Sequence, residues 1–128
     1  MKYETEKLLE VLEFHNTIIV GVDFDDTIFP LSNDNYIIER CTKVIDLIKS
    51  LKDVITICLY TVADNQSIAY KKALMKGWGI SPAYINESPI KLGNGDKPYF
   101  NILLDDKSGL NETIEILTEF KNKINETN

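Results

Sequence analysis

A run of β-branched residues that ends abruptly in carboxylates limits this chain more than any other feature. Ile18, Ile19, Val20 and Val22 form an apolar stretch, and Asp23, Asp25 and Asp26 follow directly. The stretch is too short to span a membrane. Its continuity suits a strand buried on both faces, as in a parallel sheet. An unpaired charge inside such a strand is expensive, so the carboxylates belong just past its carboxyl end. Open α/β sheets bind ligands at that edge. A bent backbone there aims Asp23 and Asp25 at one small volume, and two converging carboxylates need a cation. A plainer reading makes the same residues a strand followed by an acidic, helix-capping loop.

The rest of the chain alternates helical and strand patterns. Leu8, Leu9, Val11 and Leu12 predict an amphipathic helix over Tyr3 to Phe14, ahead of strand one at Thr17 to Asp23. The turn Thr27 to Ser32 is apolar at its tip and broken by Pro30. Asn33 and Asp34 offer N-caps for a helix from Tyr36 to Leu51, with Ile37, Ile38, Cys41, Val44, Ile45 and Ile48 on one stripe. Strand two is Val54 to Tyr60, ending in Thr61, and Asp64 opens a helix that Gly77 and Gly79 stop. Trp78 is expected over that helix end. Ala83 to Asn86 is a weak third strand. Glu87 to Lys97 is the least regular part, rich in Gly and Pro. Strand four, Asn101 to Leu104, ends in Asp105 and Asp106, and a last helix covers Asn111 to Lys121. This alternation predicts an α/β fold with a mostly parallel sheet.

At 128 residues and 44% hydrophobic content, the chain supports one core and one domain, residues 1–128. Twenty acids against 14 bases leave a net charge of −6. That balance disfavours an extended grip on nucleic acid, though not the binding of a nucleotide or a strand end. Cys41 and Cys58 each fall inside an apolar element, so buried free thiols in a reducing compartment are expected. The first fifteen residues are charged throughout, with no signal-peptide core, which leads to the expectation of a cytoplasmic protein. His15 is the only histidine, so multi-histidine zinc sites are excluded.

Three strands thus end in polar residues: Asp23 with Asp25, Thr61, and Asp105 with Asp106. In a parallel sheet those ends share an edge, and residues distant in sequence converge on one crevice. The pattern resembles the haloacid dehalogenase-like superfamily. Its motif I is an apolar strand followed by Asp-x-Asp-x-Thr, here Asp23-Phe24-Asp25-Asp26-Thr27. An apolar strand ending in Thr or Ser follows, then a lysine, then an apolar strand ending in Asp-Asp. The resemblance runs from Thr17 to Leu110.

That resemblance implies a three-layer, Rossmann-like fold with about four strands in the order 3-2-1-4. It implies an Mg²⁺-dependent phosphomonoester hydrolase in which Asp23 is the nucleophile and forms an aspartyl-phosphate. Asp25 would protonate the leaving group and then activate water, and Thr61 would donate to a phosphoryl oxygen. Asp23, Asp25 through its backbone carbonyl, Asp105 and Asp106 are the implied Mg²⁺ site, with the resemblance leaving open which of Asp105 and Asp106 binds the ion directly and which supports it from behind. An acid at position 25 marks phosphatases and phosphomutases within the superfamily. The implied lysine is Lys97, with Lys91 as its rival. Lys97 lies eight positions before Asp105, roughly 26 Å if extended at about 3.3 Å per residue, so the chain between must fold back. No stretch is long enough for a cap domain, so an open site is expected, suited to large substrates or to closure by a homo-oligomer. The phosphorylated substrate itself is not legible, and no membrane association is expected. The alternative is a non-catalytic phosphate- or metal-binding regulatory module on the same fold. A receiver domain is its nearest example, but receivers place the phosphorylated Asp after a middle strand, where this chain has Thr61.

Overall fold

The computed structural model describes residues 1–90 and 99–126. Its elements in chain order are α1 (Tyr3–His15), β1 (Ile18–Asp23), α2 (Asn35–Ser50), β2 (Ile55–Tyr60), α3 (Asn65–Gly77), β3 (Tyr84–Ile85), β4 (Ile102–Leu104) and α4 (Leu110–Glu126). The strands form one parallel sheet in the order β3-β2-β1-β4, the order expected. Helices pack around it, and β1 lies inside the sheet.

Position in the sheet explains the composition of β1. Ile18, Val20 and Val22 are fully buried, and so are Val44 of α2 and Phe120 of α4. Removing the Phe120 ring would cost about 3–5 kcal/mol at such a site. Gly21 pairs with Leu103 of β4. A Cβ there would meet Leu103 Cδ1 and Phe100 Cδ1, each at 3.1 Å, so the absence of a side chain lets these residues close over β1.

Local signals start the two crossover helices. The Asp34 carboxylate accepts from the Tyr36 and Ile37 amides at 2.9 and 3.2 Å, and Asp64 accepts from the Ser67 amide at 2.8 Å. Gly79, at φ 84°, follows α3 in the left-handed region. Helix α4 runs to Glu126, beyond the end expected at Lys121. Buried Phe120 and, one turn later, Ile124 pack on the core, which carries the helix onward through polar residues of little periodicity. Strand β3 is only two residues long. Cys41 and Cys58 are buried free thiols. No helix among the described residues is long and apolar enough to cross a membrane.

Candidate active site

Register builds the site. Val22 of β1 pairs with Leu104 of β4, so Asp23 ends β1 beside the point where Asp105 and Asp106 leave β4. On the other side Asp23 pairs with Tyr60, and Thr61 follows. Carboxylate oxygens of Asp23, Asp105 and Asp106 lie within 4.8 Å of one another. The Asp23 carboxyl is pushed up from its ordinary 3.8 to about 6, first by burial, then by the charge of Asp105, then by Asp106.

Thr27 joins the two sides. It is fully buried; its Oγ1 accepts from the Asp106 amide at 3.0 Å and donates to Asp23 Oδ2 at 3.4 Å. A tight loop holds it there. The Phe24 carbonyl accepts from the amides of Thr27, Ile28 and Phe29, and the Asp26 amide donates to the Phe29 carbonyl at 2.7 Å. Asp26 adopts φ 60°, a left-handed turn that Asp tolerates better than most residues. Its carboxylate accepts from the Leu31 amide at 2.9 Å, which makes it a loop-closing group. Asp105 Oδ1 accepts from the Lys107 amide at 2.9 Å, turning the chain toward α4.

The remaining expected residues are placed less uniformly. Asp25 is exposed, and its carboxylate is not one of the three that cluster. The cluster the structure shows is that of Asp23 with the pair after β4. Thr61 is half-buried beyond β2. Lys97 and Lys91 both lie outside the described residues.

Three neighbours of these groups were not among the candidates. Asn86 brackets Thr61, its Oδ1 accepting from the Thr61 amide at 2.9 Å and its Nδ2 donating to the Thr61 carbonyl at 2.8 Å. Lys71 of α3 donates from Nζ to Thr61 Oγ1 at 2.6 Å and lies 4.9 Å from the centre of the Phe24 ring. Trp78 stacks on Phe24 and Phe29, with ring centroids 6.2 and 6.4 Å away, and so reaches the site loop as well as the end of α3. Lys71, Met75 and Trp78 stand at i, i+4 and i+7, so a lysine on the inward stripe of α3 was a signal open to sequence reading.

A cavity of about 530 Å³ lies at the opposite edge of the sheet, lined by Leu9, Leu12, Asn16 and Val54 among others, away from the carboxylates.

No protein-family model matches the chain, and no curated protein matches it. Among solved structures it is similar to yhjK, a haloacid dehalogenase-like hydrolase protein from Bacillus subtilis, at 24% identity and a TM-score of 0.34. That likeness covers 63% of this chain and 32% of the other, so the chain spans about a third of that protein's length.

Proposed function

We propose that the protein is an Mg²⁺-dependent phosphomonoester hydrolase working through an aspartyl-phosphate on Asp23. The observation that carries the reading is the meeting of Asp23 with Asp105 and Asp106 at the carboxyl edge of the sheet. A scaffold selected only for stability gains nothing by burying Asp23 and crowding it with two more carboxylates, and the raised Asp23 carboxyl reflects burial first and that crowding second. Hard oxygen donors at this spacing fit Mg²⁺, which Asp23, Asp105 and Asp106 would hold, with the Asp25 carbonyl as a further donor. Bound there, Mg²⁺ supplies the positive charge that lets a carboxylate approach a phosphate dianion.

The chain's own residues then have distinct tasks. A carboxylate oxygen of Asp23 attacks phosphorus, and the bond from phosphorus to the leaving oxygen breaks. Asp25, an exposed residue of the loop after β1, gives its proton to the leaving alkoxide. Asp25 then takes a proton from the water that attacks the phosphoryl group, which releases phosphate and restores Asp23. Thr61 donates its hydroxyl to a phosphoryl oxygen, and Thr27 holds Asp23 in place. Lys97, or else Lys91, offsets the charge that builds on the phosphoryl group. The substrate class is a phosphomonoester, and a cytoplasmic setting accords with the free thiols.

One observation favours the non-catalytic alternative: Asp25 is exposed and is not one of the three clustered carboxylates. Turnover separates the two readings. The protein is assayed on an aryl phosphate with Mg²⁺ and with chelator, alongside Asp23→Asn. Hydrolysis that needs both Mg²⁺ and Asp23 supports the enzyme; Mg²⁺ binding without turnover on a broad phosphomonoester panel supports the regulatory module.

A further inference from the structure

Lys71 carries an assignment that neither the motifs nor the expected lysines contain. Its ammonium donates to Thr61 Oγ1 at 2.6 Å, and its charge lies 4.9 Å from the Phe24 ring centre. It forms no ion pair with a carboxylate among the described residues. A half-buried cation beside the residue that follows Asp23, with a ring and a hydroxyl as its partners among the described residues, is poorly explained by stability.

We infer that Lys71 is a positioning residue that makes Thr61 a dedicated hydrogen-bond donor to a bound phosphoryl group. The inference rests on the phosphate-site reading above. An ammonium has donors only, so in this contact the Thr61 oxygen must accept. The hydroxyl proton is then left for another acceptor. Asn86 occupies both the amide and the carbonyl of Thr61, so the backbone is fixed and Lys71 controls what remains free, the hydroxyl rotor. Thr27 shows the same device inside the site: an amide donates to its oxygen, and its proton goes to Asp23. Phe24 ties the device to the nucleophile, because the ring facing Lys71 belongs to the residue after Asp23. A phosphoryl oxygen would therefore meet a hydroxyl already oriented, with a cation behind it.

The test uses inorganic phosphate, with Mg²⁺ present, as the probe. Its affinity is measured by calorimetry for the wild type, Lys71→Met, Thr61→Val and the double variant, with kcat and KM on an aryl phosphate in parallel. Lys71→Met and Thr61→Val should each weaken phosphate binding about tenfold, the size of one charge-assisted hydrogen bond. The double variant should bind within about threefold of Thr61→Val alone, because Lys71 acts through that hydroxyl. Lys71→Arg keeps a donor and should stay within about threefold of the wild type. In the Lys71→Met enzyme the loss should fall on KM more than on kcat, which a packing defect would not produce. Thermal melts of each variant check that it is folded, and Lys71→Arg gives a second reading if Lys71→Met does not fold. Phosphate affinity unchanged in Lys71→Met, or losses that add in the double variant, would overturn the inference while leaving the phosphatase reading intact. A wild type that binds no phosphate would overturn both.

Discussion

The Thr27 hydroxyl accepts from the Asp106 amide at 3.0 Å, across 79 positions of sequence. The same oxygen donates to Asp23, so one buried side chain sets the loop after β1 against the loop after β4. Carboxylates that repel one another need such a tie, because nothing in their own chemistry keeps them together in the absence of a cation.

Thr27→Val should therefore damage the site more than its size suggests. Valine matches the shape but leaves the Asp106 amide without its partner, at a cost of about 1–3 kcal/mol. Thermal melts should show the loss, and Thr27→Ser should recover most of it. Mg²⁺ affinity should fall in Thr27→Val as well. An unchanged melting temperature would mean that water replaces the hydroxyl and that the tie is not structural.

Asp23→Asn should abolish hydrolysis while the protein stays folded, since the amide is close in shape but a poor nucleophile. Asp25→Asn should slow alkyl phosphates more than aryl phosphates, because an aryl leaving group needs little protonation. Equal losses on both substrates would remove Asp25 from the role of acid.

Mg²⁺ should stabilise the protein as its concentration rises, because the three carboxylates meet only in the folded chain. Asp105→Asn removes one repelling charge, so it should melt higher than the wild type in chelator and respond less to Mg²⁺. Melts at fixed ionic strength across a Mg²⁺ titration read both effects. A wild type indifferent to Mg²⁺, with a less stable Asp105→Asn, would return these residues to ordinary capping.

The raised Asp23 carboxyl gives stability a defined pH dependence in chelator. Between 3.8 and about 6 the folded protein keeps a proton that the unfolded chain has lost. The folded state binds more protons there, so this group's contribution makes stability fall as pH rises through that interval and level off above it. Because Asp23 is partly open to solvent, screening leaves an effect on the order of 1 kcal/mol. Denaturant unfolding from pH 4 to 7 should show the decline in the wild type relative to Asp23→Asn, whose profile should be flatter. Parallel profiles would contradict the burial and crowding of Asp23.

The sequence by itself determined the sheet and its carboxylate-bearing edge. An unbroken apolar run forces β1 into the interior, strands of that kind alternating with amphipathic helices leave a parallel sheet, and charges cannot stay inside it. Asp23, Thr61, Asp105 and Asp106 were therefore legible as strand-end residues. So were Asp34 and Asp64 as caps, because a cap depends on amides two or three residues away. Only the tertiary structure decided which side chains meet. Asp25 lies two positions from Asp23, but the left-handed turn at Asp26 closes the loop on Phe29, and Asp25 is exposed where Asp23 is half-buried. Lys71 and Asn86 reach Thr61 from α3 and from the end of β3, at separations of 10 and 25 residues. Period and spacing report which face of an element is buried. They do not report where a loop points or which distant side chain shares its hydrogen bond, since both depend on how separate elements pack.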